Sequence, residues 1–193
     1  MDFTGEYKIP TTRDKVWEAL NDAEVLKQCI DGCEELNKDS DTEFSAKVTA
    51  KVGPVKAKFT GKVTLSDIDP PNGYTISGEG QGGVAGFAKG GAIVKLTDGE
   101  SETILRYEAN AEVGGKLASV GSRLVEGVAK KTADDFFGKF VEIVASGEDA
   151  VVKEEATPDQ ELEGEESSDG RSPLVWGAGI VVIVAILLFV FAG

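Results

Sequence analysis

An uncharged run near the C-terminus constrains this chain more than any other feature. Residues 174–192 read LVWGAGIVVIVAILLFVFA and contain no charged side chain. A helix over these 19 residues is about 28 Å long, which matches the hydrocarbon thickness of a bilayer. A buried core helix is the alternative, but the run has no polar face to show to water. We therefore predict a membrane anchor over residues 173–193, with apolar residues that include Leu174, Val175, Trp176, Ile180, Leu187, Leu188, Phe189 and Phe191.

The segment before this run is strongly acidic. The whole chain has a formal net charge of −14. Much of it comes from the acids of residues 146–172: Glu148, Asp149, Glu154, Glu155, Asp159, Glu161, Glu163, Glu165, Glu166 and Asp169. Such a composition, interrupted by Pro158 and Gly164, is typical of a disordered segment. We expect a folded domain over residues 1–145, an acidic disordered linker over 146–172 and the anchor beyond it.

The N-terminus, Met1-Asp-Phe-Thr-Gly, predicts the side of the membrane on which the domain works. It has neither the basic region nor the apolar region of a secretory signal. With a C-terminal span alone, we expect the domain to stay in the cytoplasm, bound to the inner (cytoplasmic) membrane. Arg171, just before the span, agrees with the excess of positive charge found on the cytoplasmic side.

The composition argues against several kinds of site. The chain has no histidine, so nucleophile systems with an imidazole base and histidine-ligated zinc are excluded. Cys29 and Cys33 are spaced more widely than a redox CxxC pair, and zinc needs more ligands, so we expect two reduced thiols. A concentrated basic footprint for phosphates is missing. We predict no metal, no covalent cofactor and no nucleic-acid partner.

Hydrophobic periodicity over residues 1–145 predicts a strand, two short helices, six strands and one long helix. Pro10 ends the first strand, and Thr11 with Asp14 has the spacing of a capping box that begins the first helix. The second helix is predicted over Ala23–Cys29. The six strands are predicted over residues 34–38, 45–52, 55–65, from 74 onwards, 89–97 and 102–113, and the long helix over 117–145.

This order of elements predicts an α+β helix-grip fold of the START-like type. A seven-stranded antiparallel sheet buries its apolar face most simply by wrapping around the long C-terminal helix. Folds of this kind enclose an apolar cavity between helix and sheet. The predicted cavity residues are Trp17, Phe59, Tyr107, Leu124, Phe136 and Phe140, and the polar groups predicted to face inward are Tyr7, Tyr74 and Tyr107.

A glycine-rich segment lies between two of the predicted strands. Gly78, Gly80 and Gly83 formally match GxGxxG, but a dinucleotide site needs a helix directly after the motif, and a strand is predicted there. A simple strand bend explains the glycines. A cavity mouth, formed by an apolar loop over residues 84–88, explains them equally well. In that second interpretation Phe87 gates the cavity or, with Gly86 and Lys89, contacts the bilayer or a partner.

Five lysines cluster on two neighbouring strands in a stretch without acids. Alternation places all of them on the outer face of the sheet: Lys47, Lys51, Lys56, Lys58 and Lys62. A solvated sheet face is the simpler explanation. Clustering of positive charge in an acidic chain also fits a docking surface, either for anionic lipid head groups or for an acidic face of a partner enzyme.

Residues 1–36, 52–92 and 113–137, which include the segment GEGQGGVAGFAKGGA, carry a family resemblance. They resemble the CoxG family of carbon monoxide dehydrogenase subunits over essentially all of residues 1–145. The resemblance implies a START-like accessory protein linked to molybdenum-containing carbon monoxide dehydrogenases. The implied role is to recruit that cytoplasmic enzyme to the inner membrane, where its electrons enter the quinone pool. The chain departs from the family at Asp31, a turn position where proline is usual.

Three functions remain open on the sequence. The first is a recruitment module for a molybdenum-containing carbon monoxide dehydrogenase or a related molybdenum hydroxylase, with an isoprenoid quinone or lipid in its cavity. The second is a lipid sensor or transfer protein without a dehydrogenase partner. An enzyme that uses the cavity is the third, and it would need an inward-facing ionisable cluster. We expect a protein that is not an enzyme.

Overall fold

The computed structural model describes residues 1–149. The strands are β1 Asp2–Ile9, β2 Cys33–Lys38, β3 Glu43–Val52, β4 Val55–Asp69, β5 Gly73–Gln81, β6 Phe87–Asp98 and β7 Thr103–Gly114. The helices are α1 Arg13–Leu20, α2 Ala23–Cys29 and α3 Ser122–Asp149, with short 3-10 turns at Gly83–Ala85 and Ala118–Val120. The predicted order of elements is confirmed.

The strands form one antiparallel sheet in the order β1-β7-β6-β5-β4-β3-β2. Burial alternates along β3, β4, β6 and β7, as the period of two predicts. The first strand closes against the last one, and the amino group of Met1 donates to the carbonyl of Ala111 at 3.0 Å. The seven-stranded antiparallel sheet predicted from the sequence is therefore confirmed.

The two short helices follow β1 and begin in different ways. Asp22 caps α2 because its side chain accepts from the backbone N–H groups of Glu24 and Val25. The capping box predicted for Thr11 and Asp14 is wrong, since α1 begins after Thr12 without any side-chain cap. Thr11 is buried instead, and its carbonyl accepts from the Thr103 hydroxyl at 2.7 Å. This bond joins the end of β1 to the start of β7.

The long helix α3 starts later than the sequence predicts. Residues 118–120 form a 3-10 turn, and Gly121 has φ +94°, so Leu117 and Val120 do not belong to the helix. α3 contacts both β1 and β3, which lie toward opposite edges of the sheet, so the sheet curves around it. Its buried face is made of Val125, Ala129, Thr132, Ala133, Phe136, Phe137 and Phe140. The α+β helix-grip class is confirmed.

The glycines of α3 do not explain how it packs. Gly127 and Gly138 are both exposed, and a Cβ added at either position would meet nothing within 4 Å. Neither glycine therefore marks a close contact between helix and sheet. Within residues 1–149 no helix combines the length and the hydrophobicity that a membrane crossing requires. The predicted linker beyond residue 149 and the predicted anchor lie outside the described residues.

Candidate ligand groove and docking surfaces

A groove of about 440 Å³ separates β1 from α3. β1 is an edge strand, and its residues line the groove together with residues of α3. Apolar and polar groups share its lining, which consists of Asp2, Phe3, Thr4, Gly5, Glu6, Tyr7, Tyr107, Glu126, Ala129, Lys130 and Asp134. The apolar part of this lining consists of Phe3, Ala129 and the rings of the two tyrosines. The groove is more polar than a typical small-molecule site, which is mainly apolar.

Tyr7 connects the two walls of this groove. Its hydroxyl donates to Oδ1 of Asp134 at 2.8 Å, and its ring stacks on Phe137 with 3.9 Å between centroids. Burial, followed by the hydrogen bond to Asp134, raises the pKa of Tyr7 well above its usual range. The phenol is therefore neutral at physiological pH. It can donate and accept hydrogen bonds, but it is a poor general base.

Tyr107 forms the floor of the groove, and Gly5 makes room for its ring. Gly5 lies directly opposite Tyr107 across the β1–β7 pair, and a Cβ on Gly5 would lie 2.3 Å from Cε1 of Tyr107. Burial raises the pKa of Tyr107, while its interaction with the Tyr7 hydroxyl lowers it. The two phenols and Asp134 thus place three hydrogen-bonding groups along one side of the groove.

The predicted cavity residues divide between the interior and the surface. Phe59, Phe136 and Phe140 are fully buried, Tyr107 is buried, and Trp17 is half-buried against Tyr74 with 5.5 Å between ring centroids. Leu124 is 41% exposed, so the interior position predicted for it is wrong. The buried face of α3 begins instead with Val125 and Ala129. That these residues line a ligand cavity stays a prediction.

Phe87 lies on the outer face of the sheet. In β6 the alternate residues Ala88, Ala92 and Val94 are buried, so Phe87 and Lys89 point the other way. The Phe87 ring covers Gly114 of the neighbouring strand, where an added Cβ would lie 2.2 Å from Cε1 of the ring. The prediction that Phe87 lines or gates the cavity is therefore wrong. Its predicted contact with a bilayer or partner stays a prediction.

The glycine-rich segment forms the end of β5 and a tight loop into β6. The segment is followed by a 3-10 turn and β6, so the strand predicted after it is confirmed. Gly82 fits only because it lacks a side chain, since an added Cβ would lie 1.8 Å from the Phe59 ring. Gly86 has φ +116°, and a Cβ there would lie 2.0 Å from the carbonyl oxygen of Gly114. These contacts fix the loop so that Val84, 86% exposed, stands at its apex.

The five lysines occupy the outer face that their alternation predicts. Two of them meet acids of β2 that the local sequence does not reveal. Lys47 pairs with Glu35 at 2.7 Å and Lys58 with Glu34 at 2.5 Å. Hydrogen bonds from Lys58 and then from Thr49 lower the pKa of Glu34. Lys51 and Lys56 lie directly opposite each other, whereas Lys62 lies opposite Glu79. Lys89 pairs with Glu112 at 3.3 Å.

Sequence reasoning missed Asp134 and the role of Gly5. Asp134 is separated from Tyr7 by 127 positions, so only the fold brings them together.

Among residues 1–149 no group of three or more potential ligand side chains is arranged to hold a metal ion. Both cysteines in this part of the chain are free thiols, and burial raises the pKa of Cys29 to about 12, although Lys139 opposes the shift.

The fold and the groove define a domain of the START-like helix-grip class, and comparisons with known proteins agree. A conserved protein from Geobacillus kaustophilus is 33% identical, with a TM-score of 0.72 over 76% of this chain and 97% of that one. A protein from Thermus thermophilus is 14% identical (TM-score 0.58, 76% of this chain and 99% of that one). An uncharacterised protein from Rhizobium leguminosarum is 13% identical (TM-score 0.59, 76% and 95%). The last two share the fold alone.

A match to a protein-family model shows which family this chain belongs to. The model of the carbon monoxide dehydrogenase G subunit (CoxG) matches residues 5–145, which is most of the chain. The protein therefore belongs to the CoxG family, as its sequence resemblance predicts. No match to the chain is found among curated proteins.

Proposed function

We propose that this protein is an accessory factor of a molybdenum-containing carbon monoxide dehydrogenase, or of a related molybdenum hydroxylase. The observation that carries the proposal is the family match over residues 5–145, because the family is named as a subunit of that dehydrogenase. In this proposal the uncharged run 174–192 holds the chain in the inner membrane, and the domain recruits the enzyme from the cytoplasm. Tethering raises the local concentration of the captured enzyme at the membrane.

The groove between β1 and α3 supports a ligand-binding part of this role. Its volume of about 440 Å³ accommodates the ring of an isoprenoid quinone or one end of a lipid. Tyr107 lies at its floor, and a phenol can donate a hydrogen bond to a carbonyl oxygen. The Tyr7 proton is engaged with Asp134, and the Tyr107 hydroxyl interacts with that of Tyr7. We assign the donor role to Tyr107, whose hydroxyl would turn from Tyr7 to the carbonyl of the ligand. Such a ligand would link electrons from the enzyme to the respiratory chain.

The proposal is tested by purification of the full chain in a mild detergent, followed by mass spectrometry of proteins and extractable small molecules. We expect a molybdenum enzyme and an apolar molecule with a carbonyl or hydroxyl group to co-purify. Recovery of neither would contradict the proposal.

Two matched variants test the groove itself. Tyr107→Phe removes the hydroxyl at the floor, and we expect it to lower ligand recovery severalfold, roughly three- to tenfold for one hydrogen bond. Tyr74→Phe is the control, since Tyr74 is buried and does not line the groove. Equal ligand retention in the two variants would place the ligand elsewhere.

A lipid-binding or transfer protein without a dehydrogenase partner is the second candidate. The observation in its favour is the groove in a START-like fold, which is sufficient for hydrophobic-ligand binding without any enzyme. The same purification separates the two functions. An apolar ligand recovered without a molybdenum enzyme supports transfer, whereas an enzyme recovered with the ligand supports recruitment.

A further inference from the structure

The turns of the sheet are gathered at two ends with different chemistry. One end, here called the loop end, contains the β3–β4 turn at residues 53–54, the β5–β6 loop at 82–86 and the segment 115–121 that leads into α3. These pieces touch one another. The N–H of Leu117 donates to the carbonyl of Ala85 at 3.1 Å, and Leu124 lies against Gly53. The loop end is thus one continuous surface.

Exposed aliphatic side chains stand out at this end. Val84 is 86% exposed and Leu124 is 41% exposed, and the third large exposed hydrophobic residue of the described chain, Ile93, lies elsewhere on β6. Val84 occupies the apex of a loop, and its neighbours from residue 80 to residue 88 contain no charged side chain. An exposed apolar tip of this kind suits insertion into the interfacial region of a membrane.

The same end carries four exposed cations, which flank the β3–β4 turn or lie at the entry to α3: Lys51, Lys56, Lys116 and Arg123. Within residues 1–149 none of the four has an ion-pair partner. Lys51 and Lys56 are paired across the β3–β4 hairpin, where like charges repel. The acids nearby include Glu79 and Glu112, which lie on either side of Lys89, and Glu126, which lines the β1–α3 groove. Glu112 is paired with Lys89.

The opposite end of the sheet is acidic. Its turns and the adjoining strand ends carry Asp39, Asp41, Glu43, Asp67, Asp69, Asp98, Glu100 and Glu102. Lys8 and Arg13 pair with Glu102 and Asp98 there, at 2.9 and 3.2 Å. The domain is therefore polarised, and an anionic surface attracts only one of its ends.

We propose that the loop end docks on an anionic lipid surface, with Val84 and Leu124 entering the interface and Lys51, Lys56, Lys116 and Arg123 contacting lipid phosphates. The proposal rests on the proposed function, because the anchor keeps the domain beside the membrane. An acidic protein partner would account for the exposed cations, but not for the exposed apolar side chains beside them. The uncharged, protruding Val84 loop favours lipid, since insertion uses both apolar area and charge.

The full chain in vesicles tests this proposal with a local probe. The vesicles contain phosphatidylcholine, with or without added phosphatidylglycerol, and carry bromine-labelled acyl chains that quench tryptophan. Val84→Trp introduces the probe, and Ile93→Trp is the matched control because Ile93 is also exposed, at 47%, but lies away from the loop end. In anionic vesicles we expect the Val84→Trp fluorescence to be quenched roughly twofold or more relative to vesicles of phosphatidylcholine alone. Molar salt should remove this excess quenching. Ile93→Trp should show no such excess.

Charge reversal supplies the second arm. In the Val84→Trp chain, Lys51→Glu combined with Lys56→Glu is expected to abolish the excess quenching. Lys95→Glu, on the outer face of β6 toward the acidic end, is expected to leave it unchanged.

The outcomes separate this inference from the proposed function. A chain that floats with the vesicles while Val84→Trp is quenched no more than Ile93→Trp overturns the docking proposal alone. A chain that does not float with any vesicles overturns the anchor on which the proposed function depends. If the Val84→Trp probe becomes shielded only after addition of the dehydrogenase, the loop end binds protein, and the lipid proposal is overturned.

Discussion

At the residue scale, the tyrosines carry the most unusual chemistry of the domain. Burial is the main cause that raises the pKa of Tyr7, Tyr74 and Tyr107, and these are all three tyrosines of the chain. The Tyr74 hydroxyl has no hydrogen-bond partner within the described residues. A buried phenolate without a counterion is costly, so each tyrosine resists ionisation while the domain is folded.

This predicts a loss of stability in alkali. A raised pKa in the folded state means that the stabilisation is fully present below the ordinary tyrosine pKa, about 10, and is lost as the pH rises above it. We expect the urea midpoint to fall from that pH upward, and tyrosinate absorbance to appear together with unfolding. Tyr7→Phe should make the fall less steep. Reversible tyrosine titration near pH 10 with unchanged circular dichroism would contradict this.

Strand periodicity predicts which residues face outward better than it predicts their partners. The five lysines lie outside, as alternation requires. Glu34 and Glu35 of β2 pair with Lys58 and Lys47, and no local sequence pattern connects these positions. Phe87 is two positions from Lys89 and shares its outer face, so the cavity position predicted for it conflicts with the alternation of its own strand. Asp134 could not be predicted as a partner of Tyr7, because no local pattern joins a strand and a helix 127 positions apart.

At the scale of elements, α3 shows where a periodic pattern is insufficient. The stripe of apolar residues from Leu117 onward predicts one continuous helix, yet Gly121 has φ +94° and separates a 3-10 turn from α3. An apolar side chain in the turn and one in the helix have the same appearance in the sequence. In the structure, Leu117 lies before the turn and is buried, while Leu124 lies in α3 and is 41% exposed.

The glycines of this region predict opposite responses to one substitution. Gly127→Ala and Gly138→Ala lie in the helix with open space around them, so each should raise the free energy of unfolding by about 0.5–1 kcal/mol. Gly121→Ala also meets no atom within 4 Å, but its φ of +94° is unfavourable for alanine, so it should lower that free energy by about 1 kcal/mol or more. Urea unfolding of the three variants measures both effects, and equal signs at all positions would contradict them.

At the scale of the whole molecule, the fold class followed from the order of elements, whereas the groove did not. One sheet and one long amphipathic helix admit few arrangements, so the helix-grip class could be predicted. The groove depends on the free side of β1 and on the space that Gly5 leaves for Tyr107, which are tertiary details. The polarity of the two ends is also hidden in the sequence, because the acids and cations alternate along the chain and are separated only by folding.

Docking through the loop end predicts a minimum linker length. α3 begins at that end and has 28 residues, so its far end lies about 42 Å away. Deletion of residues 154–169 leaves about seven residues before the predicted anchor, with an extended span of roughly 24 Å. We expect this deletion to abolish the excess quenching of Val84→Trp. A glycine-serine segment of the original length should retain it, and docking that survives the deletion would contradict the orientation.

The pairing of β1 with β7 also governs how the protein is made. Met1 and Ala111, joined by a hydrogen bond, are 110 positions apart, so the ribosome completes nearly the whole domain before the first strand finds its neighbour. Until then β1 is an unprotected edge that other nascent chains can pair with. We therefore expect β1 to join the sheet late in synthesis, only after β7 has been made.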